Sequence, residues 1–174
     1  VAGANITPVI QVQDTYNNVV DSGADSTAAI TLNLQVGTGT LLGTLVKPAV
    51  AGVATYTATE AINIQVTGSK TLRANKPDLT LAGGVGVLTA NSNAFTLKNA
   101  PATVLVWTTQ PSNPTIAGSN ITPVIEIRDT YANIVTADAD ATALVTLSLQ
   151  SGTGTLNGTV AKQAAAGIIT FTAG

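Results

Sequence analysis

Pro8-Val9-Ile10-Gln11-Val12-Gln13 runs into Asp14-Thr15-Tyr16-Asn17-Asn18, and the same design returns as Pro123-Val124-Ile125-Glu126-Ile127-Arg128 and Asp129-Thr130-Tyr131-Ala132-Asn133. Apolar and polar residues alternate through both hexapeptides. That is the period of a strand with one face inward and the other toward water. Ile10 and Val12 share the apolar face and are matched by Ile125 and Ile127, while Gln11 and Gln13 on the other face become Glu126 and Arg128. A face that accepts either amides or opposite charges is expected to be solvated. The pentapeptide that closes each strand reads as a turn, because Asp and Asn side chains fold back onto their own backbone.

The two hexapeptides belong to a longer repeat. Residues 2–59 and 117–174 align without a gap at an offset of 115, and 35 of the 58 positions are identical. A period of this length is that of a whole domain rather than a solenoid unit. Ile30, Leu32 and Leu34 alternate with polar residues and are matched by Val145, Leu147 and Leu149. Gly37-Thr38-Gly39-Thr40 and Gly152-Thr153-Gly154-Thr155 mark a turn or bulge. Ala54, Tyr56 and Ala58 form one face, matched by Ile169, Phe171 and Ala173. Tyr56 becoming Phe171 implies that the ring is core and the hydroxyl dispensable.

The first copy continues where the second stops, with Ile62, Ile64 and Val66, then Leu72 and Ala74, then Phe95 and Leu97 as further strand faces. Leu81 to Gly86 is Gly-rich and reads as a loop or a short hairpin. Asn99–Ala102 reads as a short linker. Thr103–Pro111 has no counterpart before Ala2 and reads as an opening strand. Leu105 and Trp107 are placed inward there, with Val104 and Val106 competing for that role.

Composition agrees with an all-β chain: 45% hydrophobic, 9% charged, 16 Gly, 7 Pro and 29 Thr. Thr and Val branch at Cβ and suit a pleated surface. The net charge is −2, with seven Lys and Arg scattered singly, so no nucleic-acid partner is expected. No apolar run reaches membrane-span length, so no membrane span is expected either. There is no Cys for disulfides and no His for a Ser-His-Asp or Cys-His site. Glu60 and Glu126 are the only Glu, and Glu126 stands where the first copy has Gln11, which argues against a carboxylate pair. The chain is expected not to be an enzyme, and a small-molecule ligand is not expected.

Acidic loops are the candidate ligand sites. Asp21 and Asp25 lie in Asp-Ser-Gly-Ala-Asp, and the copy places Asp138 and Asp140 close together. Carboxylates and loop carbonyls could supply the six or more oxygens that calcium takes. No other cofactor is expected. Asn5, Asn120 and Asn157 each open an Asn-x-Thr sequon, the acceptor pattern for N-glycosylation.

A strand ending Thr108-Thr109-Gln110-Pro111, an apolar-alternating strand closed by Asp-x-x-x-Asn, a Leu-x-Leu strand, Gly-Thr-Gly-Thr-Leu, and Ala51-Gly52-Val53-Ala54-Thr55-Tyr56-Thr57 follow one another. This succession resembles the bacterial immunoglobulin-like repeats of surface adhesins, of the invasin and intimin type. The resemblance implies tandem immunoglobulin-like antiparallel β-sandwiches with incomplete terminal units. Residues 1–100 would lack their first strand, and residues 101–174 would lack their last strands. It implies a structural segment of an extracellular filament, surface layer or adhesin stalk at the cell surface. Its partners would be other copies of itself or adjacent repeats of the same chain. The sequence is expected to be an excerpt of a longer array or to be completed by strands from neighbouring chains. The alternative is an accessory polysaccharide- or protein-binding module of a secreted protein.

Overall fold

The computed structural model describes residues 1–76, 80–81, 84–85 and 88–172. The expectation for Ala173, and those for residues 82–83 and 86 of the Gly-rich stretch, fall outside the described residues. The chain divides into two compact units, Val1–Leu97 and Lys98–Gly174. The division falls three residues ahead of the one expected.

Unit 1 holds β1 (Val9–Gln11), β2 (Ala29–Val36), β3 (Val46–Pro48), β4 (Val53–Thr55), β5 (Gly68–Lys76), β6 (Thr80–Leu81), β7 (Gly84–Val85), β8 (Leu88–Asn91) and β9 (Phe95–Leu97). Every pairing is antiparallel. One sheet is β1-β4; the other has the order β3-β2-β5-β8, with β9 also on β5; and β6-β7 make a short hairpin. Side chains from the two sheets meet in one core: Ala54 with the flanking Val12 and Tyr56 on the β1-β4 side, Ile30, Leu32, Leu72 and Leu97 on the other. Burial of apolar side chains of this size contributes about 1.5–3 kcal/mol each.

Unit 2 holds β10 (Ala102–Thr109), β11 (Val124–Asp129), β12 (Leu144–Thr146), β13 (Ala161–Gln163) and β14 (Ile168–Thr170). The sheets are β10-β11-β14 and β12-β13. Its core joins Ile125, Ile127, Val135, Val145, Ala164, Ile169 and Phe171.

The two copies fold alike down to the register. Ile10 opposes Ala54 in unit 1, and Ile125 opposes Ile169 in unit 2. Ala51-Gly52 and Ala166-Gly167 make the same tight turn, with φ of 47° and 76° in one and 50° and 75° in the other. Two successive positive φ values match the twist of a two-residue hairpin, which is why Gly follows Ala in both. A Cβ at either Gly would lie 2.4 Å from the carbonyl oxygen of Val20 or Val135.

Several expectations need correction. Leu105 and Trp107 do lie on the core face of β10, opposite Ile127 and Ile125, but they remain 51% and 41% exposed. The strand pairs along one edge, and no described element covers that face. Leu149 is 52% exposed and β12 stops at Thr146, although its copy β2 runs to Val36. In unit 1 the far half of β2 is held by β5, which pairs Thr31–Val36 with Thr71–Asn75, and unit 2 has no such strand among its described residues. Ile62 and Ile64 are fully buried, yet Ile62–Val66 is not a strand and touches Leu42 only through a single bridge at Asn63. Ala58 is exposed because the strand has given way to a short 3-10 turn at Ala58–Glu60. The Tyr56 hydroxyl is not idle: it donates to the carbonyl oxygen of Ile30 at 2.7 Å and also reaches that of Leu45 at 3.1 Å.

Candidate functional site: the aspartate turns and an open strand edge

Each Asp-x-x-x-Asn turn is organised by its Asp. Asp14 Oδ1 accepts the backbone N–H of Tyr16 at 2.8 Å and of Asn18 at 2.9 Å, and Oδ2 accepts from the Asn18 side chain at 3.1 Å. Asp129 Oδ1 accepts from Tyr131 and Asn133 in the same way, each at 2.9 Å. Asn17 and Ala132 both take φ of 66° to close the loop. Donors converging on a carboxylate favour its charged form. The Asn18 side chain, followed by the Asn18 and Tyr16 amides, holds Asp14 below the usual carboxylate range. Burial pushes Asp129 up, but Asn133 and the amides of Ala100, Asn133 and Tyr131 outweigh it and leave the group lowered.

The two turns differ in one partner. Asp129 Oδ2 accepts the backbone N–H of Ala100 at 2.9 Å, and Asp129 is 1% exposed. Asn99 Oδ1 takes the amides of Thr136 and Ala137 at 3.2 and 3.0 Å, and its Nδ2 donates to the Ala100 carbonyl oxygen. Asn99 and Ala100 are therefore seated inside unit 2 as the lead-in to β10, not as a free linker. Asp14 has no equivalent of the Ala100 amide among the described residues, and it is exposed. No internal comparison could have found this anchor, because the first copy begins at Ala2, after the segment that would carry it.

The edge strand shows the same contrast. β11 is central in its sheet, whereas β1 sits at an edge. Gln11 and Gln13 are exposed as expected; Glu126 and Arg128 are half-buried. β10 places Val106 opposite Glu126 and Val104 opposite Arg128, so this face is partly covered. The two charges answer by pairing with each other, Arg128 Nη2 to Glu126 Oε2 at 2.6 Å.

The acidic loops are placed as follows. Asp21, Asp138 and Asp140 are exposed, and Asp138 stands at φ 76°, a left-handed conformation matched by Gly23 in the first copy. Asp25 is ion-paired at 2.6 Å with Lys76, which is 4% exposed. That pair spans 51 positions, and nothing in the sequence pattern signals it. Among the described residues no three His, Cys, Asp or Glu gather as a metal-binding group. Asn5, Asn120 and Asn157 are all exposed. Glu60 accepts from Lys47 and, at 2.6 Å, from the Thr57 amide, which holds its pKa down at about 2. Of the six aromatic side chains, Tyr56 and Phe171 are buried and Phe95 is half-buried; Tyr16 is 83% exposed, and Tyr131 and Trp107 are also exposed. Fewer of them fall in the core than the strand pattern suggested.

These groups can bind backbone amides and extended chain, and they present carboxylates and the rings of Tyr16, Tyr131 and Trp107 to solvent. Among the described residues no helix is long and apolar enough to cross a membrane. No family model, curated protein or solved structure matches the chain.

Proposed function

We propose that the chain is a structural segment of an extracellular filament, surface layer or adhesin stalk, built from immunoglobulin-like β-sandwich units. The observation that carries this reading is the repetition of one set of strand registers at an offset of 115, β1 on β4 and β11 on β14. A single site-bearing domain has no need of a second copy of its scaffold; a load-bearing array does. In each unit two antiparallel sheets share one core, β1-β4 with β3-β2-β5-β8 and β10-β11-β14 with β12-β13, which fits an immunoglobulin-like sandwich. The mechanism is mechanical. Pairing of β10 along β11 over six residue pairs puts interstrand hydrogen bonds in shear when the chain is pulled. Partners are other copies of the chain or adjacent repeats. Negative-stain electron microscopy of the native material is expected to show long, thin, repeating fibres. Monodisperse short rods would remove the filament reading.

Exposed Tyr16 and Trp107 support a second reading, an accessory module that grips polysaccharide or another protein. Loss of glycan or protein capture on Tyr16→Ala would favour it. Calcium at Asp21 and Asp25, or at Asp138 and Asp140, would stiffen either kind of stalk, and in unit 1 it would compete with Lys76 for Asp25. A thermal shift with calcium that chelator reverses tests this, and no shift removes it. Asn5, Asn120 and Asn157 are the proposed glycan acceptors, tested by a mass increment on the native protein.

A further inference from the structure

Along the edge of β1 where no strand pairs among the described residues, the strand faces a groove of about 450 Å³ whose floor includes Leu32, Leu72 and Ala74. The groove continues past Ile10 and Ala74 toward Leu88 as a second hollow of about 250 Å³. Unit 2 shows what lies beside this strand in the other copy. β10 runs antiparallel along β11, with Leu105 opposite Ile127 and Trp107 opposite Ile125. Along the β1 and β11 stretches, the differences in burial between the copies follow that one strand. Ile10 is half-buried and Ile125 is buried; Gln11 and Gln13 are exposed and Glu126 and Arg128 are not; Asp14 is exposed and Asp129 is buried. On the other side of the same sheet the copies agree, with Ala54 and Ile169 both buried and Tyr56 and Phe171 both buried.

We propose that the open flank of unit 1 is an acceptor groove for an extended strand of β10 pattern, contributed by a neighbouring repeat unit. The incoming strand adds antiparallel to β1, its Trp107-like residue opposite Ile10 and its Leu105-like residue opposite Val12. Its lead-in repeats the Asn99-Ala100 anchor: an amide N–H donates to Asp14 Oδ2, and an Asn carbonyl accepts the amides of Asp21 and Ser22. Unpaired main-chain groups of an edge strand supply affinity, and the apolar pair supplies register. The β10 of a second copy is already engaged with β11, so the donor is a further unit. This rests on the reading of the two copies as one kind of sandwich, not on filament formation.

The test uses the full chain labelled with nitrogen-15 and a synthetic peptide of residues 99–111. Amide shifts are expected at Val9, Gln11, Gln13 and Asp14. A peptide with Asn99→Ala is expected to bind about tenfold more weakly, and one with both Leu105→Ser and Trp107→Ser not at all in the same range. A second variant copies residues 101–116 directly ahead of Ala2, and slowed exchange of the Val9 and Gln11 amides is expected. No response at β1 in either experiment, shifts confined to Val124–Arg128, or equal binding of all three peptides would overturn the proposal. Fibres formed without protection of Val9 and Gln11 would leave the structural role standing and remove the acceptor. Protection in particles that never lengthen would do the reverse.

Discussion

At the residue scale, Asp129 carries more of unit 2 than any other charged group. Replacing it by Ala would remove the carboxylate that accepts from the amides of Ala100, Tyr131 and Asn133. Asp129→Ala is expected to cost unit 2 about 3 kcal/mol in urea unfolding, because buried donors lose a charged acceptor. Asp14→Ala is expected to cost unit 1 clearly less, since water reaches the same donors there. Acid tests another carboxylate, Glu60. Glu60 falls from 4.5 to about 2 on folding, so its contribution is present above pH 4.5 and is lost as pH drops toward 2. Glu60→Gln is expected to flatten the stability curve of unit 1 in that window. Alkali tests Tyr56, whose hydroxyl is pushed from 10.0 up to about 12 by burial. The unfolded chain then gives up its proton first, so stability falls as pH rises from 10 to 12. Tyr56→Phe should abolish that fall and cost unit 1 about 1 kcal/mol at neutral pH. Phe171 already makes unit 2 such a variant.

At the element scale, β1, β4, β11 and β14 were legible because two copies vary their outer residues while keeping the inner ones. Ile10 with Ile125 and Tyr56 with Phe171 identified the core face without any structure. What the pattern missed is long-range. Strand length depends on a partner: Leu34 and Leu149 both sit in a Thr-Leu-x-Leu-Gln stretch, but only Leu34 has β5 beside it. Burial also does not require a strand, as Ile62 and Ile64 show by filling the core from irregular chain. The anchor at Asn99 and Ala100 and the Lys76–Asp25 pair were invisible because both join residues far apart along the sequence. The calcium and glycan candidates were legible only as composition. Hydrogen exchange should show the contrast directly. Amides of Leu34 to Val36 are expected to exchange at least tenfold more slowly than those of Leu149 to Ser151. Equal rates would mean that β5 does not hold β2.

At the scale of the whole molecule, the copies have complementary openings. Among the described residues, unit 1 has no strand along the outer edge of β1. Unit 2 is open between Gly118–Ile121 and Leu156–Val160, in a hollow of about 500 Å³. In unit 1 the matching space is spanned by the chain from Glu60 to Ile64, with Gly3 donating to the Ile64 carbonyl oxygen and Ile6 to that of Ile62. Residue 174 corresponds to Thr59, so a copy of residues 60–98 appended there continues the same register. The extended chain is expected to raise the unfolding midpoint of unit 2 by 10 °C or more (about 2 kcal/mol for a unit of this size) and to protect Leu147 and Leu149 from exchange. An unchanged midpoint would mean that the second copy does not fold as the first does.

The seating of Asn99 and Ala100 also decides how the chain meets a protease. Of the seven Lys and Arg, Lys98 alone is exposed; Lys70 and Lys76 are buried and the others half-buried. Trypsin would cut after Lys98, yet the two residues that must straighten into its cleft are pinned to Asp129, Thr136 and Ala137. Cleavage there waits until the lead-in to β10 peels away from its turn. When opening and closing outpace cutting, the digestion rate at this one bond measures the free energy of that opening. Asp129→Ala should shorten the tryptic lifetime at Lys98 in proportion, and a lifetime unchanged by the substitution would show that the anchor does not guard the bond. The junction is thus a natural clock for how firmly unit 2 holds its first strand.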